Sequence, residues 1–460
     1  MNKMTVWNQY TLEQKKEVME FNEGYMDFIT KGKTERLCVK LAIAEAEKHG
    51  YRDMKEIIEN HETLKPQDRV YYNMMDKSVC FVQIGNESLE KGMNILGAHI
   101  DAPRIDIKAR PVYENSNLAY LDTHYYGGIK KYQWLARPLA LYGVICKKDG
   151  TVVEVAIGDH ENDPVFVITD ILPHLAADQL EKIASKFIEG ENLDVLIGSM
   201  PSQADKEAAK DNVLHILKDM YDIEEDDFVS AELEIVPAGP ARSLGLDSSM
   251  VLGYGQDDRV CAYTSLMAQL ELDSVERTCM TLLADKEEVG SNGATGMHSR
   301  FFENFVAEIL NALGVYSELA VKRTIQNSCA LSNDVAAAHD PLYANASSPN
   351  NNQAELGNGL ALIKYTGARG KSGCNDANPE FIAKLRKIMD DHHVAWQTSE
   401  LGKVDQGGGG TIAFLLANYG MEVIDAGVAL LSMHAPYEVA SKADVFEAKK
   451  GYVAFLKDCK

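Results

Sequence analysis

The chain has 460 residues, of which 45% are hydrophobic and 25% are charged, a composition typical of a folded globular protein. Its 46 basic and 69 acidic residues give a formal net charge of −23. A surface this acidic repels phosphate backbones and anionic lipids, which excludes nucleic acids and membrane surfaces as expected partners.

Neither a membrane span nor a secretory signal is predicted. No apolar run approaches the ~18–20 residues of a transmembrane helix, and the N-terminal segment lacks an apolar signal-peptide core. The eight cysteines include no CxxC pair, which favours reduced, mostly buried thiols over a disulfide framework or a thiolate zinc site. We therefore expect a cytoplasmic protein.

The first hundred residues predict a helix followed by two buried strands. The helix is indicated by a cap, a row of apolar residues at helical spacing and a stop, at Thr34, Leu37, Leu41, Ala44 and Gly50. Short apolar runs at 78–85 and 93–100 are typical of strands that are buried on both faces. The second run contains His99 near its end, and Asp101 follows it.

The segment 102–236 has a different character and predicts an inserted domain. Residues 139–159 indicate a hairpin with a turn at 148–150, and 204–227 form an acidic stretch with helical propensity. Two prolines and a glycine at 237–240 then mark a loop. We predict one discontinuous domain, 1–101 and 237–460, interrupted by this insert.

Beyond residue 240 strands alternate with helices, which indicates an α/β sandwich around a mostly parallel sheet. The predicted strands are 279–285, 329–334, 359–365, 421–427 and 428–434. The predicted helices are 260–272, 301–314, 378–392 and 442–457.

Histidine or carboxylate side chains follow five of the predicted strands. These residues are His99, the pair Asp257 and Asp258, the pair Glu287 and Glu288, Asp334 and His434. If the strands run parallel, these groups meet at the edge of the sheet where ligands usually bind. Converging carboxylates repel one another, and a divalent metal relieves that repulsion.

Imidazole and carboxylate ligands suit zinc, cobalt or manganese. Two histidines and three carboxylates suffice for two metals that share one bridging carboxylate and activate a water molecule. Asp101 is placed to accept a hydrogen bond from the second ring nitrogen of His99. One of Glu287 and Glu288 can bind metal while the other acts as general base. The residues thus favour a two-metal hydrolase.

The chain resembles the aspartyl aminopeptidase family of cocatalytic zinc aminopeptidases, and more specifically a bacterial member of it. The matching motifs are GAHIDAP (97–103), YYGGIKKYQW (125–134), ILPHLA (171–176), QDDR (256–259), ADKEEVGS (284–291), SND (332–334), LIK (362–364) and SMH (432–434). The resemblance implies a phosphorylase/hydrolase-like α/β/α sandwich with a mixed sheet and an inserted β-rich dimerisation domain. It also implies release of single N-terminal residues from peptides.

The resemblance further implies two Zn²⁺ per subunit, with Co²⁺ or Mn²⁺ as substitutes. His99 and Asp334 would bind one ion, Glu288 and His434 the other, and Asp257 would bridge them, with Asp258 as the alternative bridge. The peptide bond after the bridging residue would be cis. Glu287 would be the general base and Asp101 would orient His99.

Three residues are candidates for substrate binding. Lys364 matches a family lysine that would pair with an acidic side chain at the substrate N-terminus. His174 remains from a family segment in which Asp178 here replaces a second histidine. Gly408 lies in a run of four glycines that can line a cleft because backbone approaches a peptide closely there. The departure at Asp178 leaves a preference for neutral or basic N-terminal residues open.

The family resemblance also implies a homo-oligomer, a tetrahedral dodecamer in which the insert makes dimer contacts. Peptides are the expected substrates. Two other hypotheses are a metal-dependent carboxypeptidase or N-deacylase, which needs a carboxyl-binding arginine, and a non-catalytic assembly protein of the same fold. The second predicts a lost ligand or base, yet every expected position is filled.

Overall fold

The computed structural model describes residues 5–160, 162–347, 352–367 and 369–460. Within these ranges the chain forms two compact units. The first extends to Asp101 and continues over Ala241–Met433 and Glu438–Lys460, and the second comprises Ala102–Pro240 and His434–Tyr437. No helix in the described ranges is long and apolar enough to cross a membrane.

The α-helices of the described chain are α1 (Leu12–Lys31), α2 (Glu35–Lys48), α3 (Met54–Glu59), α4 (Ala177–Leu180), α5 (Ala208–Tyr221), α6 (Gln256–Leu270), α7 (Phe301–Ala312), α8 (Glu318–Gln326), α9 (Pro379–Asp391), α10 (Ala413–Ala417) and α11 (Lys442–Asp458). Its strands are β1 (Arg52–Asp53), β2 (Arg69–Met74), β3 (Ser78–Gln83), β4 (Asn94–His99), β5 (Arg104–Asn115), β6 (Leu118–Tyr126), β7 (Leu139–Cys146), β8 (Val152–Ile157), β9 (Val195–Gly198), β10 (Ala231–Pro237), β11 (Arg242–Leu244), β12 (Met250–Gly253), β13 (Cys279–Ala284), β14 (Cys329–Ser332), β15 (Ala336–Ala337), β16 (Leu360–Ile363), β17 (Trp396–Thr398), β18 (Glu422–Gly427), β19 (Ala429–Leu431) and β20 (Glu438–Ser441).

The first unit is built on a sheet with the strand order β1-β2-β3-β13-β4-β14-β18-β16-β17. Its central strands β13, β4, β14 and β18 run parallel, whereas β3 and β16 join them in antiparallel fashion. Every residue of β3, β4 and β13 is buried, as expected for strands that are covered on both faces. The predicted α/β sandwich with a mixed sheet is confirmed.

Each face of this sheet packs against its own hydrophobic core. One core joins Leu96 and Ala98 of β4 to residues of α1, α2, α6, α9 and α11. The other joins Ile95 of the same strand to residues of α3, α7, α8 and α10. Successive strand side chains point to opposite faces, so these two helical layers hold the sheet in the middle.

Helix α2 begins where the sequence predicts, because the hydroxyl of Thr34 accepts a hydrogen bond from the backbone N–H of Leu37 at 3.3 Å. The apolar row that indicates this helix is not its most buried face. Ala44 is exposed and Leu41 is only partly buried, whereas the buried residues of the helix are Glu35, Cys38, Val39, Ala42 and Ala46. Several rows of this helix are apolar, so contacts with the rest of the unit decided which row is buried.

A second sheet of the first unit has the order β11-β12-β20-β19-β15. It contains β12 and β19, the strands that precede the Asp257–Asp258 pair and His434 in the chain. The expectation that all five polar strand ends lie on one sheet is therefore wrong. Only β4, β13 and β14, which are neighbours in the large sheet, obey it.

The second unit contains an antiparallel sheet with the order β8-β7-β10-β5-β6-β9. The predicted hairpin is confirmed as β7 and β8, and the acidic stretch forms α5. The role of this segment in dimerisation, and the boundaries at 102 and 236, stay predictions.

Candidate metal centre

Three neighbouring parallel strands place polar residues at the same edge of the large sheet. His99 is the last residue of β4 and pairs in register with Ala284, the last residue of β13. On the other side, Ser332 at the end of β14 pairs with Gly97. The chain segments that leave β13 and β14 carry the predicted residues Glu287, Glu288 and Asp334, which therefore emerge beside His99.

The two ring nitrogens of His99 have different surroundings. Its Nδ1 lies 3.1 Å from the carbonyl oxygen of Asp101 and 3.2 Å from Oδ1 of the same residue. Its Nε2 lies 3.2 Å from Asp257, 3.8 Å from Glu287 and 3.9 Å from Asp334. Asp101 therefore holds one nitrogen while the other faces three carboxylates, the arrangement in which metal-binding histidines are usually found.

Burial alone would lower the pKa of His99, but hydrogen bonds to Asp101 and Asp257 outweigh it and raise that pKa well above its usual value. Burial has the opposite effect on the neighbouring carboxylates, because it raises the pKa of an acid. Burial, followed by repulsion from Asp334, raises the pKa of Asp258, and burial, followed by repulsion from Glu287, raises the pKa of Asp334. Ionising all the carboxylates of this cluster is therefore energetically costly unless a cation neutralises part of their charge.

The Asp257–Asp258 pair lies at the start of α6, where both residues have non-helical backbone angles and a cis peptide bond joins them. The backbone N–H of Asp257 donates to Glu438 at 3.0 Å. One oxygen of Asp258 accepts a hydrogen bond from the backbone N–H of His99 at 3.2 Å. The other oxygen, Oδ1, is buried and accepts no hydrogen bond from an N–H or O–H group in the described part of the chain, while the thiol of Cys261 contacts the same carboxylate. A buried carboxylate oxygen in this state is a natural ligand for a cation.

Glu287 and Glu288 occupy a short 3₁₀ turn, Glu287–Val289. Their backbone N–H groups donate to the two carboxylate oxygens of Asp101, at 3.1 and 3.2 Å. Asp101 is fully buried, so it fixes the turn and the ring of His99 at the same time.

Around His99, two groups of described side chains bring ligand atoms within 4.8 Å of one another, as a bound metal ion requires. One group is His99, Asp258 and Asp334, and the other is His99, Asp257 and Glu288. Nitrogen and carboxylate oxygen are the donors, and no thiolate takes part, so the donor set fits zinc.

The remaining predicted residues lie outside these two groups. His434 belongs to the second unit, where its Nδ1 is 2.8 Å from the carbonyl oxygen of Gly128. His174 is exposed in the same unit. Lys364 directly follows β16, and its Nζ lies 4.0 Å from Asp376. Their functional roles stay predictions.

Gly408 has a φ of 117°, a backbone region that favours glycine. The next residue, Gly409, donates its N–H to the carbonyl of Thr366 at 3.0 Å. Thr366 follows Lys364 by two residues, so the glycine run and the segment carrying Lys364 are joined.

Two buried acids near the cluster were missed by sequence reasoning. Glu438 accepts the N–H of Asp257, and Asp425 accepts the hydroxyl of Thr411 at 2.6 Å. Burial raises the pKa of Asp425 to about 6. Asp425 had a usable signal, because it interrupts the apolar run 421–427, whereas Glu438 had none.

The chain is similar to known proteins over most of its length. A sequence model of the family described as Aminopeptidase I zinc metalloprotease (M18) matches residues 28–456. A probable M18 family aminopeptidase 1 from Clostridium acetobutylicum is 58% identical over 454 residues, which is 98% of this chain and 97% of that protein.

Solved structures are similar over the whole chain as well. The crystal structure of an M18 family aminopeptidase from Thermotoga maritima gives a TM-score of 0.94 at 43% identity and covers 99% of both chains. That of aminopeptidase I from Clostridium acetobutylicum gives a TM-score of 0.93 at 55% identity and covers 100% of both chains.

The layered α/β fold and the buried histidine–carboxylate cluster define the class of metal-dependent hydrolases. The match over most of the chain then identifies the family: this protein belongs to the M18 aminopeptidases, which are zinc metalloproteases. The predicted resemblance to this group of enzymes is confirmed.

Proposed function

We propose that this metalloaminopeptidase removes single N-terminal residues from peptides with two zinc ions and Glu287 as general base. The observation that carries the proposal is the position of His99, whose Nε2 faces Asp257, Glu287 and Asp334 while Asp101 holds Nδ1. In this arrangement Nε2 is directed at ligand partners and away from the hydrogen bond that orients the ring.

The proposed ligands are His99 and Asp334 for one ion and Glu288 for the other, with Asp257 between them. The group of His99, Asp258 and Asp334 supports the first ion. Asp257 and Glu288 lie beside it and supply carboxylates for a second ion, to which His99 itself would not bind because Asp101 holds its other nitrogen. Asp257 is the proposed bridge because it lies 3.2 Å from Nε2 of His99, a ligand of the first ion, and is grouped with Glu288, a ligand of the second. Asp258 remains the alternative. The assignment of His434 to the second ion comes from the family resemblance and stays a prediction. Cobalt and manganese are the proposed substitutes for zinc, since they accept the same donors.

Zinc bound at such a site supplies a Lewis acid and lowers the pKa of a water molecule. Glu287 would accept the proton of the attacking water and later donate it to the leaving amine. Its side chain is 15% exposed, so the carboxylate can reach substrate while its backbone is fixed by Asp101. Asp101 would hold His99 and the turn that carries the two glutamates in position during the reaction.

Replacing Glu287 with glutamine tests the general base. The E287Q variant should retain zinc and lose on the order of 10²-fold or more in kcat, because the amide cannot accept the proton. Glu318, an exposed residue of α8, provides the matched control E318Q, which should leave kcat unchanged. Wild-type turnover by E287Q would refute the assignment.

For specificity we propose a preference for acidic N-terminal residues, with Lys364 as the recognising cation. About half of its side chain is exposed, and its distance from Asp376 is 4.0 Å, so the ammonium can still meet a substrate carboxylate. Gly408 and His174 are the other proposed substrate contacts. A panel of aminoacyl chromogenic substrates should show fastest cleavage after Asp or Glu, and K364M should abolish that preference. Faster cleavage after neutral or basic residues would favour the alternative.

We also propose a homo-oligomer, a dodecamer, in a cytoplasmic location. The second unit exposes a row of large apolar side chains, Ile171, Leu172, Leu175, Leu180 and Ile183, which in a monomer would remain in water. A structure described as the dodecamer of mApe1 from S. cerevisiae, with a TM-score of 0.77 and 20% identity, has the same fold. All eight cysteines are free thiols, which suits a reducing compartment. Sedimentation of wild type and of L175E tests the assembly, and the variant should sediment as a smaller species than wild type.

A further inference from the structure

One loop carries both the proposed base Glu287 and the proposed ligand Glu288. This segment, residues 285–296, is here called the glutamate loop. It closes on itself through a bridge pair between Asp285 and Gly296 and through a 2.7 Å hydrogen bond from the N–H of Ser291 to the carbonyl of Lys286. On one side, the carboxylate of Asp101 accepts the backbone N–H groups of Glu287 and Glu288 in its turn.

Ser78, the first residue of β3, binds both ends of the glutamate loop. The hydroxyl of Ser78 accepts a hydrogen bond from the N–H of Asp285 at 3.0 Å and donates to the carbonyl of Thr295 at 2.7 Å. Ser78 is fully buried and Thr295 is 4% exposed. One buried hydroxyl therefore connects the two ends of the loop.

A side-chain bond completes this clamp. The hydroxyl of Thr295 donates to Oδ2 of Asp285 at 2.6 Å. Lys77, which precedes Ser78, places its Nζ 3.7 Å from the same oxygen and 2.8 Å from Glu35. Both acids are fully buried, and a buried carboxylate persists as an ion only when it is paired and hydrogen-bonded.

We propose that Asp285 and Thr295, together with Ser78, are positioning residues for catalysis: they set the base of the glutamate loop so that Glu287 and Glu288 reach their working positions. This inference rests on the proposed roles of those two glutamates. A displacement of about 1 Å at a catalytic group can cost on the order of 10²-fold in rate, so loss of one clamp bond lowers kcat even though none of the three residues is a proposed ligand or substrate contact.

The decisive variants are Thr295→Val and Thr295→Ser, measured at saturating zinc. T295V keeps the shape but loses the hydroxyl, and it should lower kcat about 10-fold or more with KM within twofold of wild type. T295S restores the hydroxyl and should return kcat to within about threefold of wild type. Thr324 of α8 is the matched control, since it is buried and its hydroxyl has no hydrogen-bond partner within the described residues; T324V should leave kcat unchanged.

A kcat within twofold of wild type for T295V would overturn the proposal. An equal loss in T295S would also overturn it, since the restored hydroxyl would then have no effect and general packing at this position would explain both losses. If T295V fails to fold, judged by thermal melting and zinc content, S78A decides by the same criteria. The E287Q measurement keeps the two hypotheses separate. Normal turnover by E287Q contradicts the proposed function, whereas an inactive E287Q with a fully active T295V contradicts only the positioning role.

Discussion

Replacing Asp101 with asparagine should weaken zinc binding and catalysis together. The carboxylate of Asp101 lies within 3.2 Å of three donors, which are Nδ1 of His99 and the backbone N–H groups of Glu287 and Glu288. Asparagine has one acceptor oxygen, and its NH₂ group would face at least one of these donors. The side-chain volume barely changes, so the hydrogen bonds are the main thing lost.

The size of the effect follows from those contacts. A hydrogen bond to a charged acceptor contributes about 1.5–3 kcal/mol, and about 1.4 kcal/mol corresponds to a factor of ten. Loss of one such bond therefore predicts roughly 10- to 150-fold weaker zinc affinity, in line with the 10–100-fold typical for residues that orient metal ligands. The assays are competition with a chelating dye for zinc affinity, and kcat/KM on an aminoacyl chromogenic substrate.

Asp444 provides the control for D101N. It is also fully buried and accepts two backbone N–H groups, those of Gly357 and Gly359 at 2.7 Å each, but it belongs to neither ligand group. D444N should leave zinc affinity unchanged. If D101N bound zinc within twofold of wild type, or if D444N weakened zinc as much as D101N, the orienting role of Asp101 would be refuted.

Three further outcomes are expected. Burial raises the pKa of Asp444 from 3.8 to about 7. Its contribution to the free energy of unfolding is therefore fully present below pH ~3.8 and is lost as the pH rises to about 7. Denaturation curves between pH ~4 and ~8 should show wild type losing stability relative to D444N up to about pH 7, and a difference that is constant over the whole range would contradict this. Because burial raises the pKa of the proposed ligand Asp334, zinc should displace a proton and bind more tightly at higher pH. Calorimetry in two buffers of different ionisation enthalpy should detect that release, and its absence would count against Asp334 as a ligand. In G427A the new Cβ would lie 1.8 Å from the carbonyl oxygen of Asp334, so we expect a loss of about 1–3 kcal/mol of stability and weaker zinc binding. G370A, whose Cβ meets no atom of the described residues within 4 Å, serves as the silent control in thermal melts.

Much of the fold could be predicted because its strands are short, continuous apolar runs. The runs at 93–100 and 279–285 became β4 and β13. Periodicity alone does not separate such a run from a buried helix, but runs this short favour strands over helices. Helix ends with clear chemistry, such as Thr34, were predicted for the same local reason. The buried row of α2 was not, since it depends on which neighbour the helix meets.

For the candidate site, the sequence by itself determined the identity of the ionisable groups and three of their positions. His99, Glu288 and Asp334 follow adjacent parallel strands, and a strand end is a local property that the residue pattern reveals. It also determined that Asp101, two residues after His99, could reach its ring.

Only the tertiary structure decided how the rest of the cluster is completed. Asp257 and Asp258 follow a strand of a different sheet, and they reach His99 through a turn at the start of α6. Glu438, Asp425 and the clamp on the glutamate loop are likewise distant in sequence from what they support. Long-range hydrogen bonds and burial are set by how the layers pack, and no local pattern of apolar and polar residues encodes which buried acid will meet which donor.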